Sequence, residues 1–361
     1  MTNTHLYVHV PFCKTICAYC DFCHYGYNLN NITSWLTELK NELKAKADSL
    51  VDFDTIYIGG GTPSCLDYQE LKEFLELISA YTKKVSEYTI EVNPETITEA
   101  KVELFKEYGI NRISMGLQSS DEAELKLMNR HHSFNDVANV VNLFRRYGIT
   151  NISLDVMYSL PNQTMATLKK TLEAVLSLDV PHISLYSLTV EENSLFGRKG
   201  YKSLDEDIEA DMYEYIVEVL ENNGYRYYEI SNFAKSNYES RHNLGYWNYD
   251  DFVGISMGAS GKEHHQRYDN VRTLKEYLNH QYSKETIALT RDDEMFEQIM
   301  MSLRTSFGLD LKLFERRYGI SFFEQFKEAY NKHQNEFFIQ DEHLIVKNLE
   351  LLNTLLLDFL D

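Results

Sequence analysis

Four of the five cysteines, Cys13, Cys17, Cys20 and Cys23, fall within eleven residues of a 361-residue chain, and this clustering is the strongest chemical signal in the sequence. The spacing Cys13-x3-Cys17-x2-Cys20 brings three thiolates into one turn-rich loop. An iron–sulfur cube bound through three of its irons needs such a set, and its fourth iron is then free. A disulfide framework would spread its cysteines along a small secreted chain, so tight grouping points instead to a metal in a reducing cytosol. Two other readings of the thiols stand beside the cluster. Zinc would recruit Cys23 as a fourth ligand, although structural zinc sites pair short Cys-x2-Cys hooks from separate places in a fold. A redox pair would use Cys17 and Cys20 and leave Cys13 unexplained. Cys65, isolated after Pro63, reads as a small packing residue.

A second constellation is His242-Asn243-Leu244-Gly245-Tyr246-Trp247, one imidazole beside two large aromatics. Such a set is able to ligate iron and to pack against the face of a macrocycle, yet a histidine among aromatics also reads as a hydrogen-bonded structural residue. The run Gly59-Gly60-Gly61-Thr62-Pro63 is either a tight turn or a close backbone approach to a ligand.

These residues need elements to hold them. Runs rich in Ile, Val, Leu and Tyr start at Leu6, Thr55, Tyr88, Arg112, Ile152 and His182 and read as strands, each followed by a helical segment. Leu71, Phe74, Leu75 and Ile78 mark one helix face, and Leu168, Leu172, Val175 and Leu176 another. The stretches LFKEYGINRIS from Leu104 and LFRRYGITNIS from Leu143 repeat at an offset of 39 residues, with Gly109 and Gly148 where each helix must end. Alternation of this kind predicts a parallel sheet with right-handed crossovers. The cysteine loop, the glycine run, Glu91 and Asn93, and Gln118 and Ser119 all follow strands, and Asp155 lies in the fifth. Polar elements at successive strand ends suit a barrel, which gathers its loops on one face. The expectation is an α/β fold, a partial (β/α)6 TIM-like barrel over residues 1–283, with the histidine motif on an appended segment at about 225–283. Residues 284–361 read as a small C-terminal α+β domain of winged-helix type, in which FFIQ and HLIV form a hairpin around Asp341-Glu342.

Hydrophobic residues make up 43% and charged residues 25% of the chain, an ordinary globular composition that excludes disorder. No apolar run reads as a signal peptide or a membrane span, and a cytoplasmic protein is expected. The formal charge of −20 argues against nucleic acid and anionic lipid as partners. Winged helices commonly bind DNA, but residues 284–361 hold 9 Lys and Arg against 15 Asp and Glu, a net of −6.

The stretch CKTICAYCDF resembles the Cys-x3-Cys-x2-Cys signature of the radical S-adenosylmethionine superfamily, with Tyr19 as the aromatic residue before the third cysteine. The likeness extends over almost the whole chain, through YVHVPFC, IGGGTP, EVNPE, RISMGLQS, MNRHHS, LDVMYSLPNQT and HNLGYW. Together these resemble the coproporphyrinogen dehydrogenase-like branch, in particular the HemW haem chaperones. The resemblance implies a [4Fe–4S] cluster on Cys13, Cys17 and Cys20 that reduces S-adenosylmethionine to methionine and a 5′-deoxyadenosyl radical. It implies that Gly60, Gly61 and Thr62 receive the methionine amino group. Glu91, Gln118, Arg130 and Asp155 would contact the methionine carboxylate and ribose hydroxyls, and Tyr7 would flank the site. The His-Asn-x-x-Tyr-Trp match implies haem on His242, with Arg241, Lys262 and Arg267 as candidate propionate partners and His264 and His265 as alternative iron ligands. Implied partners are haem and haem-accepting proteins, membrane-bound respiratory enzymes among them, with homodimerisation left open. Two features depart from the related oxidases. Phe22 stands where they carry a fourth cysteine, Cys23 coming one position late, and only twelve residues precede Cys13 where they carry a longer arm. Both move the expectation from an oxygen-independent coproporphyrinogen III dehydrogenase of porphyrin biosynthesis towards a haem chaperone.

Overall fold

The structure, a computed structural model, describes residues 5–50 and 52–360. Residues 1–4 and 361, the outer ends of the two expected domains, lie outside the described residues. Six strands carry the first part: β1 (His5–Val10), β2 (Thr55–Gly60), β3 (Glu87–Val92), β4 (Arg112–Gln118), β5 (Asn151–Tyr158) and β6 (His182–Ser187). They pair in parallel and lie side by side in chain order. A doubly wound sheet reverses its order at a switch point, whereas winding in one direction is how a barrel is built. The six parallel strands of the partial (β/α)6 barrel expected from the sequence are present.

Each strand alternates in character. Leu6, Val8, Ile56, Ile58, Ile90, Ile113, Met115, Leu154, Val156, Ile183 and Leu185 point outward into the main hydrophobic core. The intervening residues, Tyr57, Glu91, Ser114, Gly116, Asp155, Met157 and Tyr186, face the lumen. Helices seal the outer face. Helix α1 (Leu29–Ala45) buries Trp35 between Phe12 and Phe74, at ring-centroid distances of 5.5 and 5.7 Å. Helix α2 (Tyr68–Ser79) buries Leu71, Phe74, Leu75 and Ile78 and starts with a reciprocal cap between Asp67 and Glu70. The repeated segments end alike: Gly109 and Gly148 adopt φ of 80° and 77°, and the amides of Ile110 and Ile149 reach back to Phe105 and Phe144 carbonyls at 2.9 and 3.0 Å. These are helix stops of the kind the two glycines predicted.

The barrel does not close. Beyond β6 the sheet continues with β8 (Asn232–Ala234) and β7 (Arg226–Glu229), both antiparallel. Beyond β1 come β9 (Phe252–Ile255), parallel, then β10 (Ser260–Glu263), β11 (Gln266–Asn270) and β12 (Ser283–Ala288) as an antiparallel meander, twelve strands in all. The sequence reading did not find this meander. All six residues of β12 are exposed, so no buried face left a period-two pattern to read.

A separate hydrophobic core gathers Met295, Ile299, Phe314, Phe322, Phe337, Leu344 and Leu355. The predicted hairpin is there, pairing Phe337–Gln340 with His343–Val346, and Leu309–Asp310 adds a third short strand. Asp341 and Glu342 both hold positive φ, 47° and 66°, which a two-residue turn needs to match strand twist. Among the described residues no helix is long and apolar enough to cross a membrane.

Candidate functional site

The loop that carries the cysteines leaves β1 at Pro11 and is tied at its base. Phe12–Cys13 pairs with Tyr25–Gly26, and the Tyr27 amide donates to the Cys13 carbonyl at 2.9 Å. Its middle is pinned to the barrel, since the Ala18 amide donates to Met128 at 2.9 Å and the Asn129 side chain to Ile16 at 2.8 Å. A turn, Cys20 amide to Cys17 carbonyl at 3.3 Å, brings those two residues together. Cys13, Cys17 and Cys20 line one cavity. Cys23 does not: it is buried, its Sγ donates to the Arg272 carbonyl at 3.3 Å, and its side chain lies over Gly258. That orientation removes the fourth ligand on which the zinc reading depends. Cys65 is fully buried with its thiol on the Phe12 carbonyl at 3.3 Å, a packing residue as expected.

The three lining thiols are, by chemistry, the donor set a cube takes: three cysteines of one loop on one cavity. Burial pushes the Cys13 thiol up to about 12 and the Cys20 thiol up to about 11, so each needs a cation in exchange for its proton. Arg130 lies against the set, with Nη1 3.5 Å from Cys17 Sγ, and its Nη2 donates to the Gly116 carbonyl at 2.7 Å. Gly61 leaves space where any side chain would intrude: a Cβ there would meet the Phe12 carbonyl oxygen at 2.7 Å and Cys13 Sγ at 3.0 Å.

The glycine run closes the next wall. Its amides are already spent, Gly60 on Glu91 Oε2 at 3.0 Å, Gly61 on Val10 at 2.9 Å and Thr62 on Phe12 at 2.8 Å. What the run offers a ligand is therefore carbonyl oxygen, which accepts from an ammonium. Glu91 also accepts from Tyr57 Oη at 2.9 Å. Burial, reinforced by Asp155, pushes its carboxyl up to about 7. Asp155 is raised by burial and takes bonds from Ser114 Oγ at 3.0 and 3.1 Å. Gln118 sits at a register shift in β4 with φ of 67°, a bulge that turns its side chain into the cavity.

The resulting cavity, about 440 Å³, collects Cys13, Cys17, Tyr19, Cys20, Gly60, Gly61, Thr62, Glu91, Gln118, Arg130 and Asp155. Phe22, 66% exposed, stands at its mouth. Tyr7 does not line the cavity; it sits beside Tyr57 on the neighbouring strand, stacked on it at 6.2 Å with its hydroxyl 3.0 Å from His9 Nδ1. Residues the sequence reading missed include Tyr57, Ser114, Met157 and Tyr186. The signal that exposes them is the polar half of each strand's alternation, since a strand buried on both faces is otherwise apolar throughout.

His242 is elsewhere. It lies on the short helix α3 (Arg241–Trp247), whose Arg241 and His242 amides both donate to the Glu87 carboxylate at 3.0 Å, at the opposite end of the strands from the cysteines. It is 1% exposed, with Nδ1 2.7 Å from Thr55 Oγ1 and Nε2 2.7 Å from Tyr246 Oη. Burial holds its pKa well below the usual range, so the ring is neutral with both nitrogens engaged. Asn243, Tyr246 and Trp247 line a second crevice together with Lys262 and Arg267, while Arg241 is exposed outside it. His264 and His265 form an exposed turn on a neighbouring cavity.

A half-barrel with three thiols and a glycine cradle at the carboxyl ends of its strands defines a radical S-adenosylmethionine protein. Residues 7–175 match the radical SAM superfamily and residues 289–346 the HemN C-terminal domain. The chain is 34% identical to the heme chaperone HemW of Lactococcus lactis, spanning 98% of this chain and 96% of that protein. It is 36% identical to HemW of Bacillus subtilis, over 87% of each. It belongs to the HemW family. Coproporphyrinogen III oxidase HemN of Escherichia coli shares the fold, with a TM-score of 0.87 at 22% identity over 99% of this chain and 90% of that one.

Proposed function

We propose that this protein is a haem chaperone built on a radical S-adenosylmethionine scaffold: it binds haem and delivers it to haem-dependent proteins, respiratory enzymes among them. The observation that carries the scaffold half is the convergence of Cys13, Cys17, Cys20, the Gly60–Thr62 run, Glu91, Gln118, Arg130 and Asp155 on one cavity. The haem half is supported by relatives named as haem chaperones that match this chain nearly end to end. Cys13, Cys17 and Cys20 hold the [4Fe–4S] cluster, which when bound supplies an electron for cleaving a sulfonium. The carbonyls of Gly60 to Thr62 accept from the methionine ammonium. Arg130 balances thiolate charge and the methionine carboxylate, and Glu91, Gln118 and Asp155 take the remaining polar contacts, ribose hydroxyls included. Tyr19 and Tyr57 wall the cavity and keep water from it, and Tyr7 supports Tyr57 from the neighbouring strand. His242 fixes the Tyr246 ring at the edge of the second crevice.

The test is an anaerobic incubation of cluster-loaded protein with S-adenosylmethionine, in parallel with haem and with coproporphyrinogen III. Stoichiometric haem binding without decarboxylation is the expected result. Robust conversion of coproporphyrinogen III to protoporphyrinogen IX would overturn the chaperone assignment in favour of the dehydrogenase.

A further inference from the structure

The second crevice, about 670 Å³, opens at the seam where the barrel fails to close. Its walls come from both sides of the seam: Tyr246, Trp247 and Phe252 on the barrel side, and Met300, Met301 and Arg304 on and just beyond helix α4 (Arg291–Ser302). Tyr246 and Phe252 pack edge to face at 4.6 Å, and with Trp247 they give the crevice an aromatic wall. Among the described residues no histidine or cysteine lines it. Two of its phenols are committed, Tyr246 to His242 at 2.7 Å and Tyr249 to Glu297 at 2.6 Å. A third, Tyr186, must lose a proton before it can ligate iron. The thioethers of Met300 and Met301 need no deprotonation to bind iron.

The cations divide in the same way. Lys262 is paired with Asp251 at 2.7 Å and Arg267 with Glu297 at 3.1 Å. Arg304 instead donates to the Asn353 amide oxygen at 3.2 Å, and its Nε is buried without a partner among the described residues. A buried guanidinium N–H left unpaired in an acidic protein favours an anionic ligand group.

We propose that haem occupies this seam crevice, its iron facing a thioether of the Met300–Met301 pair and a propionate resting on Arg304, and that His242 is not the iron ligand. This rests on the haem-binding reading above. Tyr186 lines both the crevice and the cysteine cavity, so the two ligands share one wall.

The experiment titrates full-length, cluster-loaded protein with haem and records affinity and the absorption and magnetic circular dichroism spectra of the ferric and ferrous forms. Met300→Leu/Met301→Leu keeps side-chain volume and removes both sulfurs. It is expected to bind haem while losing the thioether-to-iron bands seen in the wild type. Arg304→Gln is expected to weaken binding roughly tenfold with the spectrum unchanged. His242→Gln is expected to leave the ligand bands in place. Thermal unfolding and cluster absorption monitor folding in each variant. A wild-type spectrum in the double-leucine variant, or loss of the axial-ligand bands in His242→Gln alone, overturns the crevice assignment while haem binding stands. Failure of the wild type to bind haem at all overturns both.

Discussion

At Glu91 burial and a nearby like charge act on one carboxyl, and both favour its protonated form. The sign of the consequence follows. A carboxyl whose pKa rises from 4.5 to about 7 on folding adds stability below its unfolded value and loses it as pH climbs through the folded one. Glu91→Gln removes that loss. The variant should match the wild type near pH 4.5 and exceed it above pH 7 by up to about 3 kcal/mol, read from urea midpoints of the metal-free protein. The cysteines divide as sharply. Cys17→Ala should abolish the charge-transfer absorption of anaerobically reconstituted protein, and Cys23→Ala should keep it; loss in both variants would return Cys23 to the ligand set. At Gly61 a methyl group meets the Phe12 carbonyl and Cys13 Sγ. Gly61→Ala should cost about 1–3 kcal/mol and lower iron content, measured on the same preparation.

Among the elements, the hairpin at Asp341-Glu342 shows local strain in isolation. Both residues take the left-handed conformation, which costs a residue with a Cβ about 1–2 kcal/mol. Glu342 also forms an exposed ion pair with Lys312, a contact worth about 0–1 kcal/mol. Backbone relief exceeds the lost pair, so Glu342→Gly should raise the unfolding free energy of the C-terminal core by about 1 kcal/mol, read as a higher urea midpoint; an unchanged midpoint would show that the turn is unstrained. The bulge at Gln118 is a left-handed residue of a different kind. Its conformation aims a side chain into the cavity, and there the backbone preference yields to the site.

Across the whole molecule, the two cores are joined through the histidine-motif segment. Arg317 donates to Asp250 at 2.6 Å, to the Asn248 carbonyl at 2.8 Å and to Gln298 at 3.1 Å, and the Ser306 amide reaches the Tyr228 carbonyl at 3.1 Å. With its side chain only 13% exposed, Arg317 is worth more than a surface pair. Arg317→Ala should weaken the junction by about 2–4 kcal/mol, seen as faster amide hydrogen exchange in helix α4 (Arg291–Ser302) with exchange in β4 unchanged. Equal acceleration in both would mean the cores unfold as one unit.

The chemistry of the cysteine site was legible in the sequence because it is local: three thiols within eight residues and a glycine run at a strand end carry their meaning without partners. The half-barrel was legible too, since repeated strand and helix periodicities and the stops at Gly109 and Gly148 are short-range signals. The meander was not, because an exposed, polar strand is held by its neighbours' backbones and leaves no hydrophobic period. Nor was the fate of His242. Its six-residue motif suggests a ligand, but Thr55 is 187 positions away in sequence and 2.7 Å away in space. Only the folded chain decides that both of its nitrogens are taken, and that Met300, Met301 and Arg304 from the far end of the sequence stand beside the motif instead.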